Sequence, residues 1–170
     1  MKLPNPETLL SEITAQITEL IKPSTAIVGI HSGGVWMMER ILSNINKDIP
    51  YGTLDATLYR DDFAQRGLKN EMQPANIPFN VQDKDVILID DIFYTGRTTR
   101  AAINELFDFG RPASITLAVL INRGGAQLPI SPQIVGANIP LTQDQRFQLS
   151  QTKQGKLNLA LTNNQDTGDV

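Results

Sequence analysis

The segment that most constrains the fold is an apolar run that ends in two acids and continues into a helical pattern. Residues 86–89 are all apolar, Asp90 and Asp91 follow, and a turn rich in threonine and glycine leads into residues 98–109. A short apolar run of this kind is typical of a strand buried on both faces, and the spacing after the turn is typical of a helix. The segment predicts a strand–turn–helix unit with two carboxylates at the end of the strand.

Alternation of strands and helices recurs along the chain. The predicted strands are 26–30, 52–59, 86–89, 114–121, 133–137 and a last edge strand at 157–161, and the predicted helices are an N-terminal helix within 1–22, 35–44 and 98–109. This alternation predicts an α/β fold with a mostly parallel sheet flanked by helices. Ligands of such sheets bind beyond the carboxyl ends of the strands. The loops 31–34, 90–98 and 122–127 are therefore expected to converge.

The length and the hydrophobic content indicate one domain over residues 1–170. The chain has 170 residues, of which 41% are hydrophobic, enough for a single core. A polar stretch at about 60–80 has no periodicity, and Gly67, Pro74 and Pro78 interrupt it, which predicts a flexible loop acting as a lid. Residues 162–170 are predicted to be a frayed tail.

Composition excludes several classes of protein. The chain has no cysteine, so it forms neither disulfides nor thiolate metal sites, which fits a cytoplasmic location. It has no apolar run long enough to span a membrane and no signal-peptide pattern at its start, so no membrane association is expected. A net charge of −3 argues against a broad surface for nucleic acid.

The turn after Asp90 and Asp91 has the chemistry of a site for a phosphorylated sugar. Backbone N–H groups at a helix N-terminus attract phosphate, and the two carboxylates accept hydrogen bonds from sugar hydroxyls. Two simpler interpretations stay open at this point: a helix cap with a solvated neighbour, and a magnesium site of the receiver type. A kinase-like P-loop fits poorly, because Asp91 stands where its first glycine belongs and Arg97 replaces its lysine.

This segment resembles the phosphoribosyl pyrophosphate (PRPP) motif of type I phosphoribosyltransferases. The Tyr94–Thr98 version is similar to that of the pyrimidine operon attenuator/uracil phosphoribosyltransferase family. Further segments agree with that family in the same order, namely 55–62, 110–115, 122–124, 128–130 and 135–140.

The resemblance implies a type I phosphoribosyltransferase fold and a pentosyltransferase activity that forms UMP and pyrophosphate from uracil and PRPP. A role in regulating pyrimidine biosynthesis is implied as well. The alternative is an RNA-binding attenuator of pyrimidine genes that senses UMP or UTP and has weak or vestigial transferase activity. Its partner would be the leader mRNA of pyrimidine genes. The family also implies a homodimer or homotetramer.

The resemblance assigns roles to individual residues. Asp90, Asp91 and Arg60 would be catalytic, with the two acids on the ribose. The 5′-phosphate would be bound by Tyr94, Thr95, Gly96, Arg97 and Thr98. The pyrophosphate would be bound by His31, Ser32, Gly33 and Gly34, with Arg60 closing over it. The base would contact Asn122, Arg123, Gly124 and Val135.

Several of these roles have simpler alternatives or depart from the family pattern. From the residues alone, 31–34 is an ordinary turn and Arg60 is a surface partner of Asp61 or Asp62. Some relatives have an arginine at the position of Gly33, and several attenuating relatives have an aspartate at that of Asn122. Tyr94 cannot act as a general base at neutral pH without a large pKa shift. Mg²⁺ is expected to be bound mainly through PRPP, with Asp90 and Asp91 as the candidate protein ligands.

Overall fold

The computed structural model describes residues 2–56 and 73–163. Its helices are α1 (Pro6–Leu20), α2 (Gly33–Asn44) and α3 (Arg97–Asp108). Its strands are β1 (Thr25–Ile30), β2 (Tyr51–Leu54), β3 (Asp85–Phe93), β4 (Ser114–Asn122), β5 (Ile134–Asn138), β6 (Gln145–Gln151) and β7 (Leu157–Asn163). None of the helices in these two ranges is both long enough and apolar enough to cross a membrane.

Five strands form a parallel sheet, which confirms the predicted α/β class. The strand order is β2-β1-β3-β4-β5, and every neighbouring pair is parallel. From β1 the chain places β2 on one side and β3 on the other, so the order of the strands reverses between β1 and β3. Open sheets of this type bind their ligands at such a switch point. The two segments that leave β1 and β3 are 31–32 and 94–96, both within the loops predicted to converge.

Apolar side chains cover both faces of the sheet. Helices α1 and α2 pack on one face through Ile13, Ile17, Met37 and Ile41, all of them fully buried. On the other face, α3 contributes Ala102 and Leu106 to a cluster with Val28, Leu88 and Val119. A sheet buried on both faces explains why β1 and β3 appear in the sequence as continuous apolar runs.

The N-terminal helix begins as its sequence predicts. The Asn5 side chain accepts a hydrogen bond from the Glu7 backbone N–H at 2.9 Å, and Pro6 is the first helical residue. Proline is well suited to this position because its missing N–H has no partner within the helix in any case. The helix ends at Leu20, three residues before Pro23.

The C-terminal strands differ from the prediction. Strand β7, predicted as an edge strand at 157–161, is an edge strand at Leu157–Asn163 and pairs in antiparallel fashion with β6 in a separate two-stranded sheet. The sequence did not predict β6, because five of its seven residues are glutamine, serine or arginine. Phe147 and Leu149 alternate with these polar residues and are buried in the core on the α1 and α2 side. Strand β7 also includes Thr162 and Asn163, which were expected in the frayed tail.

Part of the predicted loop at 60–80 lies against the edge of the sheet. Asn76 and Thr53 exchange two backbone hydrogen bonds of 2.9 and 2.8 Å, and the Gln73 N–H donates to Asp55 Oδ2 at 2.6 Å. Residues 73–80 are thus connected to β2 and the residue beyond it. The predicted second strand ran to residue 59, whereas β2 ends at Leu54; its last predicted residues and Arg60 lie outside the described residues.

An ion pair joins α1 and α2 to the turn between β6 and β7. The two Arg40 Nη atoms donate to the Glu7 carboxylate at 3.1 and 2.5 Å, and Arg40 Nη1 also donates to the Gly155 carbonyl at 2.8 Å. The Leu157 N–H donates to Glu7 Oε1 at 2.7 Å. The hydrogen bond from Arg40 is the main reason why the pKa of Glu7 is below its ordinary value of 4.5.

Replacing Glu7 by glutamine is expected to lower the free energy of unfolding by about 1 kcal/mol at pH 7. The value is modest because the Arg40 and Glu7 side chains remain 33% and 24% exposed. A carboxylate whose pKa is lowered in the folded state stabilises the protein at pH values above its ordinary pKa of 4.5. This stabilisation is lost as the pH falls through the folded-state pKa. Urea unfolding can be followed by Trp36 fluorescence. The free energy of unfolding should therefore differ less between wild type and Glu7→Gln at pH 3.5 than at pH 7.

The matched control is Glu12→Gln, which changes an exposed residue of the same helix. It should leave the stability at pH 7 within about 0.5 kcal/mol of wild type. If the free energy of unfolding differed between wild type and Glu7→Gln by the same amount over the whole pH range, the carboxylate charge would not contribute to stability.

Candidate functional site

A cavity opens at the carboxyl end of the sheet, next to the switch point between β1 and β3. Its lining comes from the end of β3, the start of α3, the end of β4 and the start of β6. The lining residues are Asp90, Ile92, Phe93, Tyr94, Thr95, Gly96, Thr98, Thr99, Arg123, Arg146 and Phe147. The cavity thus combines a carboxylate, two guanidinium groups and the N-terminal turn of a helix.

The two acids lie within β3, because this strand continues to Phe93 beside β4. Asp90 is 3% exposed and Asp91 is 5% exposed. Asp90 Oδ1 accepts the Asp91 N–H, and Asp91 Oδ1 accepts the Ile92 N–H, both at 2.9 Å. These bonds to the backbone fix the direction of both carboxylates.

The turn between β3 and α3 presents the start of the helix to the cavity. Gly96 has a φ of +93°, a left-handed conformation that glycine adopts without steric cost. The Arg97 N–H donates to the buried Thr95 hydroxyl at 3.3 Å, and the Arg100 N–H donates to the Gly96 carbonyl at 2.9 Å. Backbone N–H groups at the start of a helix are the donors that attract anions to helix N-termini.

This turn is also connected to the loop after β4. The Gln127 N–H donates to the Thr95 carbonyl at 2.9 Å, and the Arg97 side chain donates to Gln127 Oε1. The Arg97 guanidinium thus contacts Gln127, and Arg97 is not among the residues that line the cavity. The predicted convergence of the loops at 90–98 and 122–127 is confirmed.

The segment after β1 lies against the acids. Helix α2 begins at Gly33, two residues earlier than predicted, and the His31–Ser32 peptide bond is cis. A Cβ atom on Gly33 would lie 2.4 Å from Asp91 Oδ2, and one on Gly34 would lie 2.3 Å from the Ile89 carbonyl oxygen. Such distances are below any real contact, so both glycines are needed for α2 to approach β3 this closely.

The predicted base-binding residues do not all face the cavity. Only Arg123 of the four lines it. Asn122 stabilises its own loop, because its side chain accepts the Gly124 N–H at 3.1 Å and donates to Asn138 Oδ1 at 2.9 Å. Val135 packs against the core cluster on the α3 side of the sheet.

Arg123 is the most unusual side chain of the site. It is 8% exposed, and its guanidinium carbon lies 3.7 Å from the centroid of the Tyr94 ring. Arg123 Nη2 donates to the Thr142 carbonyl at 3.1 Å, whereas the buried Nε has no hydrogen-bond partner. A buried donor without an acceptor costs free energy, which is recovered when a ligand supplies the acceptor.

Arg146 and Phe147 were not predicted as site residues. Both belong to β6, the strand that the sequence did not predict. Arg60 was predicted to close over the pyrophosphate and lies outside the described residues. Within residues 2–56 and 73–163, no three His, Asp or Glu side chains are grouped so that they could hold a metal ion.

Comparison with known proteins agrees with this geometry. The model of the phosphoribosyl transferase domain matches residues 3–148. A bifunctional protein PyrR from Pseudomonas fluorescens is 44% identical over 154 residues, covering 88% of this chain and 92% of the relative. The bifunctional protein PyrR of Nitrosococcus oceani is 43% identical over 144 residues, covering 84% of this chain and 81% of the relative.

Solved structures share the fold at lower identity. A hypoxanthine-guanine phosphoribosyltransferase from Bacillus anthracis superposes with a TM-score of 0.65 at 20% identity, covering 82% of this chain and 84% of the other. A purine phosphoribosyltransferase from Pyrococcus horikoshii superposes with a TM-score of 0.57 at 25% identity, covering 79% and 81% of the two chains. On the match of the domain model and the identity to the PyrR proteins, this chain belongs to the phosphoribosyltransferase family and is a PyrR-like member of it.

Proposed function

We propose that the protein transfers the 5-phosphoribosyl group of PRPP to uracil, forming UMP and pyrophosphate, and that it takes part in regulating pyrimidine biosynthesis. The observation that carries the proposal is the pair of buried, oriented carboxylates of Asp90 and Asp91 next to the N-terminal turn of α3. This arrangement lies at the switch point of the sheet in a chain that is 44% identical to a PyrR protein.

The 5′-phosphate is proposed to bind the turn at residues 94–98. The backbone N–H groups of the first turn of α3 and the hydroxyls of Thr95 and Thr98 are its donors. The ribose hydroxyls then donate to Asp90 and Asp91. As the bond to pyrophosphate breaks, positive charge develops on the sugar, and the fixed carboxylates stabilise it without reorganising.

Pyrophosphate is proposed to bind the segment His31–Gly34, with Arg60 closing over it. The contact of Gly33 with Asp91 brings the start of α2 to the acids, so its backbone N–H groups lie near the sugar position. Mg²⁺ fits this site as part of the substrate, because Asp90 and Asp91 offer the carboxylate oxygens that it prefers. When bound, it would neutralise negative charge on the pyrophosphate.

The base is proposed to lie near Tyr94 and Arg123. The Arg123 guanidinium carbon lies only 3.7 Å from the centroid of the Tyr94 ring, so a further ring cannot insert between them. The base instead lies beside the pair. The unpaired Arg123 Nε then donates to a ring carbonyl. An arginine offers donors only, which matches the carbonyls of uracil and opposes the amino group of cytosine.

A turnover assay with a panel of bases tests the proposal. Pyrophosphate release is measured with PRPP, Mg²⁺ and each of uracil, cytosine, hypoxanthine, guanine and adenine. Uracil is expected to exceed every other base by at least about 100-fold in kcat/KM. Release with a purine at a comparable rate, or with none of the bases, would contradict the proposed substrate.

Binding of leader mRNA from pyrimidine genes is a second proposed function. It is favoured by the identity to relatives that are named bifunctional. The acidic side chains of α1 oppose it, because RNA affinity depends on positive charge along the phosphates. Filter binding of the leader RNA with and without UMP should give nucleotide-dependent retention that weakens steeply with salt; retention that is insensitive to both would exclude this function.

The quaternary structure is proposed to be a homodimer or homotetramer, and the location cytoplasmic. Light scattering on the full-length protein measures the first directly, with an expected mass of two or four chains. A single-chain mass would contradict it.

A further inference from the structure

We propose that Arg146 is a catalytic residue that contacts the uracil ring and stabilises the negative charge that develops on it during transfer. This inference rests on the proposed function. It concerns a residue on β6 that neither the sequence motifs nor the PRPP site includes.

Arg146 lies in the cavity at the carboxyl end of the sheet. Its side chain lines the same cavity as Asp90, Thr95 and Arg123. Its Nε donates to Thr162 Oγ1 at 3.2 Å, which ties the side chain to the neighbouring strand β7. A hydrogen bond of this kind limits the rotamers of a long side chain and pre-organises its terminal nitrogens.

Arg146 shares the cavity with Arg123 and Tyr94, beside which the base is proposed to lie. Arg123 stacks on the Tyr94 ring, and its Nη2 donates to the carbonyl of Thr142, four residues before Arg146. A base bound beside Tyr94 therefore lies in the cavity that both guanidinium groups line.

The reaction itself requires a group that stabilises negative charge on the base. The N1 atom of uracil must lose its proton and present a lone pair to C1 of the ribose. Tyr94, at the position next to the base, offers a phenol hydroxyl where a carboxylate could have accepted this proton. Without a general base at that position, the reaction depends on a ring that loses its proton readily. Neighbouring cations favour the deprotonated ring, as they favour any anion.

The step balances with the substrates alone. The bond between C1 and the pyrophosphate oxygen breaks, and its electron pair leaves with pyrophosphate. The bond between N1 and C1 forms from the ring lone pair, and the N1 proton passes to water. Arg123 and Arg146 transfer no proton and donate hydrogen bonds to the ring oxygens over which the negative charge spreads.

A comparison of two substrates tests this role. 5-Fluorouracil has a more acidic ring N–H than uracil, so it needs less stabilisation of its anion. Arg146→Gln is expected to lower kcat about 100-fold with uracil but no more than about 10-fold with 5-fluorouracil. The KM for PRPP should stay within about twofold of wild type. The kcat of the variant with uracil should also rise with pH towards the ionisation of the free base.

Two further variants separate this role from a structural one. Arg146→Lys keeps the positive charge and should retain a wild-type ratio of the kcat values for the two bases. Arg111→Gln changes an exposed arginine just before β4, at the amino ends of the strands and opposite the cavity, and should change neither kcat nor the ratio.

Each alternative has a distinct outcome. Equal losses with both bases for Arg146→Gln would overturn the proposal, and so would a loss confined to the KM for PRPP, which would indicate a phosphate contact. A wild-type protein that uses neither base would refute the proposed function itself. If Arg146→Gln failed to fold, an altered base ratio in Arg146→Lys would overturn the proposal on its own.

Discussion

Replacing Asp91 by asparagine is expected to lower kcat/KM with uracil and PRPP by about 100-fold or more. The amide oxygen of asparagine still accepts the Ile92 N–H that Asp91 Oδ1 accepts at 2.9 Å, so the local backbone remains supported. The substitution removes one negative charge beside the sugar, which becomes positive in the transition state. Asp91, which carries this charge, is only 5% exposed. Steady-state kinetics and a melting curve on the same sample measure both effects.

The melting temperature of Asp91→Asn should differ from wild type by no more than about 2 °C. Asp48→Asn is the matched control, because Asp48 is exposed and follows α2 at a distance from the cavity. It should leave both activity and melting temperature unchanged. A loss of stability in Asp91→Asn that accounts for the loss of activity would mean that the carboxylate serves the fold and not the reaction.

Replacing Gly34 by alanine is expected to have the largest effect on the structure of the site. The new Cβ would lie 2.3 Å from the Ile89 carbonyl oxygen and 3.1 Å from the Asp90 Cα. Both atoms belong to the backbone of β3, so no rotamer change relieves the overlap and α2 must move away from the strand. We expect a loss of about 2 kcal/mol in the free energy of unfolding, or about 4–8 °C in melting temperature.

The same displacement should weaken PRPP binding, because it moves the start of α2 away from Asp91. Calorimetric titration with PRPP and Mg²⁺ is expected to show at least about a 10-fold higher Kd for Gly34→Ala. Ser32→Ala is the control for stability, since Ser32 is exposed and its side chain makes no capping hydrogen bond. Wild-type melting in Gly34→Ala would contradict the close contact between α2 and β3.

The sequence predicted those features that depend on local patterns. The unit formed by β3, the turn and α3 was predicted because a continuous apolar run, a glycine turn and a helical spacing occur within about twenty residues. The capped start of α1 at Asn5 and Pro6 is equally local. The parallel order of the strands then follows from their alternation with helices.

Features that depend on distant contacts were not predictable in the same way. Strand β6 is mostly polar, and it is defined by pairing with β7 and by burial of Phe147 and Leu149. Arg146 was missed for that reason. The position of Asn122 in the sequence suits a contact with the base. Its side chain instead hydrogen-bonds to the Gly124 backbone and the Asn138 side chain. The Arg97 side chain contacts Gln127, 30 residues away, which no local pattern indicates.

The central claim is that the end of the sheet binds PRPP with its phosphate on the turn after β3 and its ribose on the acids. A crystal structure of the protein with PRPP and Mg²⁺ tests it most directly. We expect 5′-phosphate oxygens within hydrogen-bond distance of the N–H groups of residues 95–98, and ribose hydroxyls that donate hydrogen bonds to Asp90 and Asp91. A phosphate bound elsewhere, or a sugar without contact to either carboxylate, would contradict it.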